Sequence, residues 1–134
     1  MKTVLTAYAA TAIAFLAIDA VWLSTMADIL YRPLLGDMLA PSFALAPAVL
    51  FYLIYIGGIV FFAIGPALEK QQLRKAVLNG AALGFVAYAT YDLTNQATLR
   101  NWPVIVTIAD LIWGTLLTAG ASAVGYAAAR RVAG

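Results

Sequence analysis

Four long apolar runs, separated by short polar stretches, occupy most of the chain: residues 4–26, 47–68, 76–97 and 104–128. Each holds the roughly 20 residues that cross hydrocarbon as a helix rising about 1.5 Å per residue. The runs are rich in Ala and Leu and lack strict alternation, so they predict helices and not barrel strands. The pattern predicts an all-α integral membrane protein, a four-transmembrane-helix bundle in which residues 1–134 make a single transmembrane domain. The first run follows Met1-Lys2-Thr3 as a signal peptide would, but it runs past a normal h-region and carries Asp19 and Trp22. It is therefore expected to be retained as a span.

The connection over 27–46 breaks the pattern. It is too short to cross the bilayer twice and too apolar for a free loop. Leu30, Leu34 and Met38 recur at helical spacing before Pro41. This predicts a short amphipathic interfacial helix on the outer surface between the first and second spans. The alternative is that the segment extends the first helix beyond the membrane. Within the spans, Gly80 and Gly84 form a GxxxG, and Ala121 and Gly125 a small-xxx-small pair, both suited to close helix crossings. Gly57-Gly58 is expected to mark a bend or tight contact, and Gly65-Pro66 the inner end of the second span.

Composition agrees with lipid as solvent: 64% of residues are hydrophobic and 10% charged, against roughly half and a quarter in soluble domains. A formal net charge of +2 gives no reason to expect a nucleic-acid partner. Cys and His are both absent, which removes disulfides, thiolate chemistry and the commonest general base and metal ligand. Phosphate-binding Gly loops, HExxH and GxSxG are absent as well. No cofactor is indicated, and whether the chain is an enzyme stays open.

Lys and Arg set the expected orientation. With the N-terminus inside, Lys2, Lys70, Arg74, Lys75, Arg130 and Arg131 are cytoplasmic and only Arg32 and Arg100 lie outside. The positive-inside rule then places both termini in the cytoplasm.

Against that topology, three carboxylates within the apolar runs fall at one depth. Asp19 lies late in an outward-going span, Asp92 late in another, and Asp110 early in an inward-going one. All three lie roughly 6–12 Å below the outer interface by helix rise. Ionisable groups at such depth face a bundle interior or water. Trp22 shares a face with Asp19, and Trp113 with Asp110; Tyr88 and Asn95 share one with Asp92, flanked by Tyr91. Tyr52 and Tyr55 come from the outer half of the second span. These ten residues predict one outward-facing pocket of carboxylates and aromatics for a ligand or ion. Clustered carboxylates would share protons, bind a cation, or accept a donor from Arg32 or Arg100. The alternative is structural: Tyr and Asn clamp the bundle through Asp92, and the aromatics form an interfacial belt.

The segments Ile18-Asp19-Ala20-Val21-Trp22-Leu23, Tyr91-Asp92-Leu93-Thr94-Asn95 and Asp110-Leu111-Ile112-Trp113-Gly114 are similar to the family of small bacterial predicted membrane proteins catalogued as domain of unknown function 2177. The likeness covers nearly the whole chain. It implies a multi-pass protein of the bacterial inner membrane. Members often lie beside genes for modifying fatty acyl chains of membrane lipids, which is context for a lipid-related role. Three functions follow as expectations. The first is a small transporter-like or channel-like protein for a cation, proton or small solute, in which a homodimer would supply eight spans. The second is a membrane-embedded enzyme or accessory protein in membrane-lipid modification. The third is an assembly subunit of a larger membrane complex.

Overall fold

The computed structural model describes residues 1–42 and 44–133, and its regular structure is all helical. Phe43, in the first connection, and Gly134 lie outside the described residues. We number the long helices α1 (Lys2–Met38), α2 (Leu45–Lys70), α3 (Leu73–Thr98) and α4 (Val104–Ala133).

Among the described residues, α1, α2 and α4 are long and apolar enough to cross a membrane. α3 has the length, 26 residues, but not the apolar density. Asn79, Asp92, Asn95 and Gln96 dilute its hydrocarbon character. Three qualifying helices, not four, is therefore what hydropathy establishes, because α3 carries the polar groups that the other helices enclose.

The connection after the first run is not a separate interfacial helix. α1 continues through a π-turn at Ala27–Tyr31 to Leu35, where Gly36, at a φ of 47°, turns the chain into a final 3₁₀ turn at Gly36–Met38. The extension is held by its own contacts: Leu30 and Leu35 bury against Val106 of α4, with Met26, Tyr31 and Trp102 around them. Leu34 and Met38 remain exposed. The helix continues because burial of Leu30 and Leu35 on α4 outweighs the loss of regular pairing in the π-turn.

α2 also departs from expectation. Gly65-Pro66 does not end it; the helix runs on to Lys70. Pro66 cannot donate a backbone bond and its ring crowds the carbonyl four residues back. In the π-turn Val60–Ile64, immediately before it, the Gly65 N–H bonds to the Val60 carbonyl, and the Phe62 carbonyl that Pro66 leaves free accepts from Asn79 Nδ2 at 3.1 Å. Gly57 and Gly58 make no tight contact: a Cβ at Gly57 would meet Tyr8 at 3.9 Å, and one at Gly58 nothing within 4 Å. The helix stops at Gln71, whose left-handed φ of 54° reverses the chain into α3 within two residues.

Contacts fix an up-down-up-down order. Tyr8 donates to the Leu53 carbonyl while Asp19 meets Tyr52, so α1 and α2 are antiparallel. Thr11 lies at Gly125 and Asp19 at Trp113, so α1 and α4 are antiparallel too. α3 and α4 pack along their length, closest at Gly80 and Gly84. A Cβ on Gly80 would collide with Ser122, and one on Gly84 with the Gly114 carbonyl and Thr118. Gly125 is filled by Thr11 and Ile64. Both small-residue pairs thus sit at close crossings. Around them lies an apolar core of Phe15, Ile56, Ile59, Ile64, Leu117 and Ala121. It occupies the half of the bundle nearer the α2–α3 turn.

Candidate functional site

The opposite half is built from larger and more polar residues. Phe15 closes the apolar core, its ring edge-on to both Tyr52 and Tyr55. Above it the helices are spaced by aromatic rings and enclose a cleft of about 1260 Å³. Asp19 and Asp110 line that cleft from α1 and α4.

The carboxylates occupy three different environments. Asp19 accepts from Tyr52 Oη at 3.0 Å and from Trp113 Nε1 at 3.2 Å. Asp110 accepts from Tyr31 Oη at 2.5 Å, and that hydroxyl accepts in turn from Trp22 Nε1 at 2.9 Å. Asp92 is 0% exposed, and neither carboxyl oxygen has a hydrogen-bond donor. It lies within hydrogen-bonding reach of the Asp110 carboxyl. Two carboxyl groups this close, one of them wholly buried, cannot both carry full charge without a penalty, and such an arrangement is suited to sharing a proton or a cation. Asp19 differs from Asp92 in having donors, since its two oxygens accept from Tyr52 and Trp113. Among the described residues no group of three or more acidic side chains is placed to hold a metal ion.

The aromatic groups are ordered by the same contacts. Trp22 and Trp113 stack with centroids 4.4 Å apart and planes within 7°, joining α1 to α4. Their indole N–H groups point to opposite sides, one to Tyr31 and one to Asp19. Trp102 donates to Thr107 at 3.0 Å and meets Tyr91 edge-on at 5.9 Å. Tyr88 lies against Gly114, where any side chain would displace its ring.

Of the ten residues expected at one pocket, Asp19, Trp22, Tyr52, Tyr88, Tyr91, Asp110 and Trp113 line the cleft. Asp92 lies behind its wall, beside Asp110. Tyr55 sits deeper, its hydroxyl 2.8 Å from Thr118 Oγ1. Asn95 is half-buried and does not line the cleft. Arg32 does not neutralise the inner carboxylates. It pairs with Asp28 one turn away at 2.9 Å, with both side chains more than 70% exposed (71% and 74%). Such a pair contributes at most about 1 kcal/mol.

Tyr31 was not legible as part of the site. On an unbroken α-helix it would lie roughly 120° around the axis from Asp19, twelve residues earlier. The π-turn at Ala27–Tyr31 takes out roughly 100° of rotation and brings Tyr31 onto the Asp19 face. Nothing in the apolar pattern announces that turn. Trp102 does carry a signal, since it lies just before α4 begins and five residues before Thr107 in its first turn.

A family model described as "Predicted membrane protein (DUF2177)" matches residues 4–127. No curated protein and no solved structure matches the chain.

Proposed function

The chain belongs to the DUF2177 family of predicted membrane proteins, and from that premise we propose a small transporter-like or channel-like protein of the bacterial inner membrane. In this reading it takes a proton or monovalent cation at the Asp92–Asp110 pair and admits a small solute through the adjoining cleft. One observation carries the reading. Asp92 is wholly buried without a donor and faces a second carboxyl group that lines an open cavity. A clamp that only held helices together would give Asp92 a hydrogen-bond donor, because an unpaired buried carboxyl destabilises the fold.

The reading takes α3 as a fourth crossing. Its length of 26 residues suffices, and its glycines and Asp92 face α4. Thr90, Thr94 and Thr98 bond back to carbonyls of their own helix, so their hydroxyls are satisfied in lipid. The Lys and Arg distribution, six against two, then places both termini in the cytoplasm and the cleft on the outer side. Reporter fusions within Glu69–Lys75 should read cytoplasmic, and fusions beside Asp37 or Arg100 external. The reverse pattern would overturn this orientation.

The functional test is flux in proteoliposomes. Purified protein is reconstituted with an internal pH dye, and proton, Na⁺ and K⁺ gradients are imposed in turn. At least one gradient should dissipate faster than in protein-free vesicles. Asp92→Asn should return that rate to background while the protein remains monodisperse. Background rates for all three ions in the unmodified protein, or unchanged flux in Asp92→Asn, would sink the proposal. The lipid-enzyme reading draws on one further observation, the lateral gap at Phe51 and Ala87. A changed membrane-lipid profile in a deletion strain would favour it.

A further inference from the structure

We infer that the cleft binds a cationic amphiphile, with an ammonium head between Asp19 and Asp110 and an apolar chain leaving the bundle between α2 and α3. The inference deepens the solute-site reading above and rests on it. Three features of the cavity carry it.

The first is charge. Asp19 and Asp110 face the cleft, and the basic group at its rim, Arg32, is already paired with Asp28. An anion would meet two carboxylates and no free cation there. The second is the wall. Every Trp of the chain lines this cavity: Trp22, Trp102 and Trp113. Aromatic faces attract weakly hydrated organic cations and compensate poorly for the hydration that a small inorganic ion must lose. No group of three or more acidic side chains among the described residues is placed for a metal.

The third feature is a side exit. α2 and α3 pack closely along the end that carries the turn at Gln71, and they diverge toward the cleft. In the gap lies a second, mostly apolar cavity of about 290 Å³, lined by Phe51, Ala87, Tyr88 and Tyr91. Tyr88 and Tyr91 belong to both cavities, so the small one adjoins the large one. Phe51 stacks on Tyr55 at 5.3 Å and is 48% exposed on the bundle's flank. A ligand whose head sits at the carboxylates can therefore extend a chain past Ala87 into the apolar phase. Two sources share this chemistry, a free alkylammonium compound and an aminophospholipid headgroup.

Because all three Trp lie at the cleft, intrinsic Trp fluorescence reports on it directly. The protein in nonionic detergent is titrated with hexyltrimethylammonium, with a neutral alcohol of matched chain length, and with hexanesulfonate. A saturable change with the ammonium compound alone is expected. Affinity should rise as the chain lengthens, by up to about fourfold per buried methylene. The double variant Asp19→Asn, Asp110→Asn should weaken binding at least tenfold, and Ala87→Trp should remove the chain-length dependence while keeping tetramethylammonium binding. Equal responses to all three compounds, or undiminished binding by the double variant, would overturn the inference. Should the double variant not fold, the three-compound contrast in the unmodified protein decides alone.

Nanodiscs separate the two sources. Phosphatidylethanolamine discs should weaken alkylammonium binding relative to phosphatidylglycerol discs if the headgroup occupies the site. Equal affinity in both would assign a free amphiphile. Ammonium-selective binding by the unmodified protein alongside background flux for all three ions would leave this inference standing and remove the proposed transport. Ion flux without ammonium selectivity would do the reverse.

Discussion

The two halves of the bundle use the same four helices and pack them in opposite ways. Toward the α2–α3 turn, Gly80, Gly84, Ala121 and Gly125 let backbones approach until no Cβ would fit at the glycines, and Ile59, Ile64 and Leu117 fill the remainder. Toward the other end, Trp22, Trp113, Tyr52 and Tyr88 act as spacers and the helices enclose a cavity. The boundary falls at Gly114, the last close approach, where the Tyr88 ring enters the space a side chain would take. In lipid there is little hydrophobic drive between helices, so close packing of small residues supplies cohesion. Concentrating that cohesion in one half leaves the other free to hold polar groups that would weaken a uniform bundle. The close-packed half is the foundation; the aromatic half is where chemistry is affordable.

The strongest way to break this contrast is to overfill the close-packed half. Gly84→Leu drives a side chain into the Gly114 carbonyl, a backbone atom that cannot move aside. A loss of about 3 kcal/mol is expected, the upper part of the overpacking range. Thermal unfolding in detergent should show it, and an unchanged midpoint would mean the crossing is looser than described.

The next largest effect has the opposite sign and lies in the cleft half. Asp92 has no donor to orphan, so Asp92→Leu should raise stability by about 1–3 kcal/mol, since an unpaired buried polar group is exchanged for an apolar one. Asp92→Asn should change stability less. Both should lose ion flux. Destabilisation by Leu would reveal a hidden donor and return Asp92 to a structural role.

A smaller loss is expected from Tyr31→Phe. It removes the donor to Asp110 and the acceptor of the Trp22 N–H in one step. About 1–2 kcal/mol should go, with a shift in Trp emission, because the cleft lets water replace part of what is lost. Smallest of all is Gly58→Ala, where the added methyl meets nothing within 4 Å. It should be neutral or stabilising by up to about 1 kcal/mol through helix propensity. A marked loss there would place an unseen partner on that face of α2.

How much was legible differs by kind of feature. The four apolar runs fall within four long helices, as with 104–128 inside Val104–Ala133, but α1 runs on to Met38 and only α1, α2 and α4 are apolar enough to cross a membrane. The GxxxG at Gly80 and Gly84 was readable because a helix places residues four apart on one face. The coincidence of Asp19, Asp92 and Asp110 at one end was also readable, since helix rise alone sets depth. The pairing of Asp110 with Tyr31 was not, nor was the pairing of Arg32 with Asp28 in preference to the deeper carboxylates. The continuation of α2 through Pro66 escaped for a related reason: Gly-Pro reads locally as a stop, and only the π-turn before it lets the helix proceed.

The sequence by itself determined the quantities that accumulate along one helix: apolar content and the position of each carboxylate along the axis. These follow from a fixed rise per residue and from a solvent that forbids unpaired backbone groups. The tertiary structure decided which group each carboxylate meets. That depends on the rotation of one helix against another, and a π-turn of one extra residue changes it by roughly 100°. At Ala27–Tyr31 that rotation turns an apparent surface tyrosine into the partner of Asp110, and leaves Asp92 opposite Asp110 without a donor of its own.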